Sequence, residues 1–151
     1  MTPTRVLVLC TGNSARSQIA EALLRHRGGG RFEVASAGSR PAPRVHPLAI
    51  EALEVAGIEW SGRAPRGLDA VTGEHWDLVI TVCDRAKDAC PVFPGHPAKV
   101  HWGLPDPAEA EGSPAERLRA FVETRRALEE RIERLVADPA WVRPVDDAHR
   151  G

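Results

Sequence analysis

The sequence predicts a three-layer α/β domain, in which helices flank a central parallel sheet of about four strands. Short apolar segments rich in β-branched residues alternate along the chain with helical stretches. Clusters of glycine and proline separate the two kinds of segment. This alternation is typical of parallel sheets whose strands are joined by right-handed crossovers.

The elements can be assigned in order along the chain. Apolar runs predict four strands, the last of them weak, at residues 5–9, 32–35, 77–82 and 99–102. Helical spacing and helix-end signals predict three helices, at residues 17–27, 48–56 and 113–136. The last helix begins with a capping box formed by Ser113 and Glu116, with Pro114 at its first position.

Length and charge indicate how many domains the chain forms and which kinds of partner it does not bind. The 151 residues, of 16.4 kDa, predict a single domain at residues 1–137 followed by a C-terminal tail at 138–151. Twenty basic and 21 acidic residues leave a formal charge of -1, which excludes a strong attraction to nucleic acid or anionic membranes. No apolar run approaches the roughly 20 residues of a membrane span, and the N-terminal one is too short for a signal peptide. We expect a cytoplasmic monomer.

The strongest chemical signal is the motif C-x5-R-S, formed by Cys10, Arg16 and Ser17 between the first strand and the first helix. A loop of this length can turn successive backbone N–H groups inward at a helix N-terminus, where the helix dipole favours an anion. The Arg16 guanidinium can donate two hydrogen bonds to an oxyanion. The same groups are expected to lower the pKa of Cys10 and make it a nucleophile. The predicted oxyanion-binding residues are Thr11, Gly12, Asn13, Ser14, Ala15 and Arg16.

Two interpretations of this motif are simpler than a catalytic loop. Cys10 could be a small buried residue at a strand end, with Arg16 on the surface. The loop could also only bind phosphate, but the chain lacks the G-K-[ST] sequence that holds nucleotide phosphates and magnesium. Composition favours a functional loop, because the only asparagine and the only glutamine of the chain, Asn13 and Gln18, both lie within eight residues of Cys10.

Two further cysteines, Cys83 and Cys90, follow the third strand. Their thiols are candidates for reactive groups. Zinc binding fits poorly, since paired zinc ligands are usually two to four residues apart; two inert buried cysteines remain an alternative. If residues 83–90 formed one helix, the two Cα atoms would lie about 10.5 Å apart. A disulfide requires roughly 4.4–6.8 Å, so forming one would require this segment to unwind.

The segments LCTGNSARSQIAEALLR, CDRAKDACPVFPG and HWGLPDPA resemble the low-molecular-weight protein tyrosine phosphatase family, and specifically its thioredoxin-coupled arsenate reductases. The resemblance extends from about residue 6 to residue 136. It implies that Cys10 attacks the oxyanion and that Asp106, in an Asp-Pro pair, protonates the leaving group. It also identifies Cys83 and Cys90 as the second and third redox cysteines. From the residues alone, Asp106 could equally be a turn or capping residue.

The resemblance implies reduction of arsenate to arsenite, with phosphate or sulfate as competing oxyanions. Cys10 forms an adduct with arsenic, Cys83 attacks Cys10, and Cys90 then attacks Cys83 to give a disulfide that thioredoxin reduces. Thioredoxin is the expected electron donor, with no bound cofactor, and Ser17 is expected to donate to the Cys10 thiolate. A tyrosine phosphatase and a non-enzymatic thiol sensor are the alternatives.

The chain departs from the family pattern at Pro105, where relatives often have an acidic residue before the Asp-Pro pair, and at two further positions. Ala108 follows the Asp-Pro pair where phosphatases typically carry an aromatic residue, so aryl phosphate hydrolysis is expected to be at best a side activity. Some members bind potassium at positions that match Asn13, Glu21 and Ser36, but the fourth position is Arg66 here. A cation at that corner would disfavour potassium, and we therefore predict no metal.

Overall fold

The computed structural model describes residues 3–137. Its sheet consists of four parallel strands, β1 (Thr4–Cys10), β2 (Phe32–Gly38), β3 (Leu78–Thr81) and β4 (Ala98–His101). Four α-helices accompany the strands, namely α1 (Arg16–Gly28), α2 (Pro47–Val55), α3 (Asp84–Asp88) and α4 (Pro114–Ala137). The predicted parallel sheet flanked by helices is confirmed. The predicted tail at 138–151 lies outside the described residues.

The strand order is β2-β1-β3-β4, so the chain leaves β1 on one side and later returns to pair on its other side. Ligands bind beyond the carboxyl ends of the strands at such a reversal of order. Leu9 pairs with Thr81 across β1 and β3; Cys10 is the next residue after Leu9, and Cys83 lies two residues after Thr81. Sheet topology therefore brings the first two cysteines to the same point of the sheet edge.

The hydrophobic core lies between the sheet and the helices that cover it. β1 and β3 are central strands, and every residue of β3 is buried. Because both faces of a central parallel strand are covered, the two strands read as continuous apolar runs rather than alternating ones. α1 and α2 both pack against α4, whose buried stripe includes Phe121, Leu128 and Ile132.

The predicted element boundaries differ from the observed ones by one to three residues. β2 is the largest difference, since it runs to Gly38 whereas the apolar pattern ends at Ala35. Ser36, Ala37 and Gly38 are small residues that pair in register with Val8, Leu9 and Cys10, so pairing with β1 extends the strand. The capping box of α4 is confirmed, because Ser113 and Glu116 each accept a hydrogen bond from the other's backbone N–H, at 3.1 and 3.0 Å.

Candidate active site

The loop of residues 11–15 joins β1 to α1 at the carboxyl edge of the sheet. Its carbonyl groups face away from the loop centre, because the following segment takes them as hydrogen-bond acceptors. The bonds run from Arg40 N–H to Thr11 O (2.9 Å), from Ala42 N–H to Gly12 O (2.8 Å) and from His46 N–H to Ser14 O (2.8 Å). Within residues 3–137, the backbone N–H groups of Gly12, Ser14 and Ala15 donate to no other backbone group, and these donors are left for an anion.

Gly38, at the end of β2, makes room for this loop. A Cβ atom at this position would overlap Thr11 O and lie 2.9 Å from Asn13 N. Only glycine lets the loop backbone approach β2 so closely. Sequence reasoning did not identify Gly38 as a site residue, although the run of small residues at the end of β2 is a signal for such a close approach.

Arg16 joins the loop to the segment that carries Asp106. Its Nη1 donates to Leu104 O at 2.8 Å, and its Nη2 lies 3.8 Å from Asp106 Oδ2. Nε of Arg16 is buried and has no hydrogen-bond partner in the described structure. A buried donor without a hydrogen-bond partner lowers the stability of the folded protein. An oxyanion bound in the adjacent cavity would supply the missing acceptor.

Asp106 caps a turn with one carboxylate oxygen and also lines the site. Its Oδ1 accepts a hydrogen bond from Ala108 N–H at 3.0 Å and thereby caps the 3-10 turn Pro107–Glu109. Its side chain is 36% exposed, and it lines the same cavity as Cys10 and Arg16. The capping role considered from sequence is therefore present and compatible with an acid facing the cavity.

The cavity has a volume of about 460 Å³ and is open to solvent on one side. It brings together several predicted site residues, namely Cys10, Thr11, Gly12, Ser14, Ala15, Arg16, Cys83 and Asp106. Its remaining lining residues are Asp84, Arg85 and Glu109, so no aromatic ring from residues 3–137 lines it. Three predicted site residues, Asn13, Ser17 and Cys90, do not line the cavity.

Cys10 and Cys83 line the same cavity, and each thiol is the largest influence on the pKa of the other. Both residues are buried, with 4% and 6% of their surface exposed. Cys83 Sγ also lies 3.3 Å from Thr11 Oγ1 and accepts a hydrogen bond from Ala86 N–H at 3.4 Å, as the cap of α3. The hydrogen bond to Cys10 lowers the pKa of Cys83 to about 5, and the bonds from Thr11 and Ala86 add to this effect.

The pKa of Cys10 is raised, which corrects the sequence-based expectation of a lowered value. The hydrogen bond with Cys83 and the burial of Cys10 raise it, and together they outweigh the opposing effects of Arg16 and the Asn13 backbone N–H. The two thiols therefore titrate as a pair that loses its first proton readily and holds the second. Transfer of the remaining proton from Cys10 to Cys83 puts the thiolate next to Arg16.

Cys90 lies outside the cavity, beyond the far end of α3. It is half-buried, its Sγ approaches Pro91 O at 3.6 Å, and burial raises the pKa of its thiol. α3 has only five residues, of which Ala86 alone is buried. A helix this short has little stability of its own, so the segment between the two cysteines is weakly held.

Asn13 is the centre of a buried hydrogen-bond network behind the loop. Its Nδ2 donates to Ser17 Oγ at 2.8 Å and to Ser36 Oγ at 2.9 Å. Its Oδ1 accepts from Gln18 Nε2 at 3.1 Å and from the Arg66 backbone N–H at 2.8 Å. Ser17 is thus an acceptor in this network, and its own hydroxyl hydrogen is left for another acceptor. The expected bond from Ser17 to Cys10 stays a prediction.

Arg25 supplies a cation at the corner where relatives were expected to hold potassium. Glu21 accepts a hydrogen bond from Ser36 Oγ at 2.7 Å and pairs with Arg25 Nε at 2.8 Å. Arg66 was the cation expected at this corner, but the contact of Arg66 with this network is through its backbone N–H. Within residues 3–137, no three His, Cys, Asp or Glu side chains form a group suited to a metal ion. The predicted absence of a metal stays a prediction.

One contact near the site was missed from sequence. His101 Nε2 lies 2.9 Å from Asp84 Oδ1, and His101 Nδ1 lies 2.7 Å from Thr81 Oγ1. These contacts connect β3 and β4 to the first residue of α3. The only signal in the sequence was that His101 is the histidine closest to Asp106.

A reactive thiol at the base of a backbone anion cradle, on the carboxyl edge of a parallel sheet, defines an enzyme that acts on an oxyanion through cysteine. The chain belongs to the low molecular weight phosphotyrosine protein phosphatase family, whose model matches residues 5–142. The resemblance recognised in the sequence is thereby confirmed.

The comparisons include several arsenate reductases. The arsenate reductase of Bacillus licheniformis is 40% identical over 134 residues, which are 89% of this chain and 96% of the relative. A solved arsenate reductase in its oxidized state is 31% identical, with a TM-score of 0.76 over 91% of this chain and 98% of that one. A thioredoxin-dependent arsenate reductase of Corynebacterium glutamicum is 36% identical, with a TM-score of 0.59 over 87% of this chain and 62% of that one.

Proposed function

We propose that this protein is an arsenate reductase that converts arsenate to arsenite with electrons from thioredoxin. The observation that carries the proposal is the position of Cys83, which lines the same cavity as Cys10 and strongly influences the pKa of that thiol. Hydrolysis of a phosphate ester requires one nucleophilic cysteine, whereas reduction requires thiols that can supply two electrons. The names of the relatives support the same activity.

Arsenate binds in the cavity above Cys10. The N–H groups of Gly12, Ser14 and Ala15 and the unpartnered Nε of Arg16 are the donors left for its oxygens. Phosphate and sulfate have the same tetrahedral shape and compete for these donors. Because the cradle recognises charge and shape, discrimination between arsenate and phosphate comes from the later redox steps.

The Cys10 thiolate attacks arsenic and forms a sulfur–arsenic bond. One oxygen of arsenate leaves as water, with its proton supplied by Asp106 as general acid. The position of Asp106 in the cavity, beside Arg16, supports this role. Arsenic is still pentavalent in the adduct, so two electrons remain to be delivered.

The Cys83 thiolate then attacks the sulfur of Cys10. The electron pair of the sulfur–arsenic bond passes to arsenic, which leaves as trivalent arsenite, and a Cys10–Cys83 disulfide forms. The low pKa of Cys83 and its hydrogen bonds from Thr11 and Ala86 support this role, since the thiolate is the attacking form.

Cys90 completes the cycle by attacking Cys83. Cys10 leaves as a thiolate, and the disulfide moves to Cys83 and Cys90, where the dithiol of thioredoxin reduces it. Cys83 and Cys90 flank α3 on opposite sides, and we propose that α3 unwinds to bring their thiols to disulfide distance. Two features favour unwinding: the helix is five residues long, and the contact of its first residue, Asp84, with His101 involves an aspartate side chain that is 91% exposed. The three thiols must be kept reduced, and we propose the cytoplasm as the compartment.

The test is arsenite formation by the purified protein with thioredoxin, thioredoxin reductase and NADPH. We expect NADPH oxidation that depends on arsenate and on each protein component. Turnover of p-nitrophenyl phosphate without reductant, and no arsenite, would instead identify a phosphatase. A protein that does neither would be a thiol sensor, and both outcomes would refute the reductase.

A further inference from the structure

Gln18, the only glutamine of the chain, is buried behind the loop and bridges two residues. Its Oε1 accepts a hydrogen bond from Trp60 Nε1 at 2.9 Å, and its Nε2 donates to Asn13 Oδ1 at 3.1 Å. Gln18 and Trp60 are each 3% exposed, and neither lines the cavity. Among the described residues, the hydrogen bond that joins this pair to the loop is the one from Gln18 to Asn13.

The direction of these hydrogen bonds is determined by the donors at the ends of the network. An indole N–H can only donate, so the atom of Gln18 that faces Trp60 must be the carbonyl oxygen. The amino group of Gln18 is then directed at Asn13, whose facing atom must be its oxygen. The Arg66 backbone N–H, also a donor only, contacts the same Asn13 oxygen at 2.8 Å and imposes the same orientation.

The orientation of Asn13 matters because its backbone is strained. Its φ angle is 52°, in the left-handed region, where residues other than glycine need local support. Its side chain makes four hydrogen bonds, two accepted and two donated, and these hold it there. Asn13 belongs to the loop that follows Cys10, and its backbone N–H lowers the pKa of that thiol and so favours the ionised form.

We propose that Trp60 and Gln18 are positioning residues, which orient Asn13 so that its backbone N–H stabilises the Cys10 thiolate. The hydrogen bond from the Trp60 N–H fixes the orientation of the Gln18 side chain, and Gln18 in turn fixes the orientation of the Asn13 side chain. The inference rests on the proposed function only for the use of this thiolate, because the hydrogen bonds themselves need no substrate.

The test is a titration of Cys10 as the sole thiol. In a Cys83→Ala/Cys90→Ala background, the ultraviolet absorbance of the thiolate follows Cys10 alone as the pH is varied. Trp60→Phe keeps the ring and removes its donor, and Gln18→Met keeps the length and removes both polar groups. Each change is expected to raise the pKa of Cys10 by roughly one unit, which is about a tenfold loss of thiolate at a pH below it.

Trp76→Phe is the matched control. Trp76 is also buried, at 2% exposure, and its Nε1 donates to Val71 O at 3.0 Å, at the opposite end of β3. This change removes the same kind of hydrogen bond, so it is expected to lower the melting temperature without moving the pKa of Cys10.

A double variant tests whether Trp60 acts on Asn13 through Gln18. If Trp60 acts only through Gln18, adding Trp60→Phe to Gln18→Met changes the Cys10 pKa no further. Additive shifts would overturn the relay, and so would an unchanged Cys10 pKa in both single variants. Should Trp60→Phe fail to fold, the shift in Gln18→Met decides alone. None of these titrations uses arsenate, so their outcome is independent of whether the protein reduces it.

Discussion

Cys10 ends β1, Cys83 lies two residues beyond the neighbouring parallel strand β3, and the two thiols interact in one cavity, where each is the largest influence on the pKa of the other. This contact joins two residues that are 73 positions apart in the sequence. The backbone approach of the loop to β2 and the turn at Asp106 complete the surroundings of the pair. Each of the five predictions below tests one contact of this arrangement.

Substitution of each cysteine is expected to separate the two chemistries. Cys10→Ser removes the nucleophile for both reactions, so it should abolish arsenate reduction and any phosphatase activity. Cys83→Ala and Cys90→Ala should abolish thioredoxin-coupled reduction but spare phosphatase turnover, because water resolves a phosphorylated enzyme. Arsenite formation and p-nitrophenyl phosphate hydrolysis measure the two activities. Equal loss of both in Cys83→Ala would assign Cys83 a structural role.

The low pKa of Cys83 predicts a distinctive pH dependence of its alkylation. Because the pKa is about 5, the reactive thiolate persists above that pH and is lost as the pH falls through it. The raised pKa of Cys90 leaves that thiol protonated at neutral pH, so it should react more slowly. The rates are obtained by mass spectrometry after brief treatment with iodoacetamide at a series of pH values.

Thr11→Val is expected to raise the pKa of Cys83, because valine keeps the shape of threonine but cannot donate to the sulfur. Thr124→Val is the control, since the Thr124 hydroxyl donates to Ala120 O at 3.0 Å within α4. The same alkylation series measures both variants. Superimposable pH profiles for the two would mean that the Thr11 hydroxyl does not stabilise the thiolate.

Asp106→Asn is expected to lower turnover by roughly 10²–10⁴-fold, because asparagine keeps the turn-capping oxygen but has no acidic proton. Affinity for the oxyanion should change little. With phosphate esters, the loss should shrink as the leaving group becomes more acidic. Glu111→Gln, an exposed carboxylate in the same segment but outside the cavity, is the control. Near-normal turnover of Asp106→Asn on a poor leaving group would leave Asp106 only its role in the turn.

Gly38→Ala is expected to displace the loop, since the added Cβ would overlap Thr11 O. Phosphate should raise the melting temperature of the wild type by binding the folded state, and this rise should be largely lost in the variant. Gly67→Ala is a close control, because Gly67 bridges to Gly38 yet its Cβ would meet only Pro41 Cγ, at 3.7 Å. An equal rise with phosphate in Gly38→Ala would show that the loop tolerates a side chain there.

The sequence by itself determined the fold class, the order of most elements and the catalytic loop. These features depend on local patterns: apolar runs bounded by turn residues make strands, and C-x5-R-S between a strand and a helix makes an anion cradle. The carboxyl ends of parallel strands share one edge, so the convergence of Cys10, Cys83 and Asp106 at one cavity could also be predicted. All three line the cavity in the structure.

Only the tertiary structure decided how these groups influence one another. The raised pKa of Cys10 depends on a hydrogen bond to Cys83, and the cation on Glu21 is Arg25 because the two lie one turn apart with Ser36 on the other side. The need for glycine at position 38 arises from contact with a different segment. Hydrogen bonds and charge interactions act over a few ångströms, and distances of that size between remote segments exist only after the chain has folded.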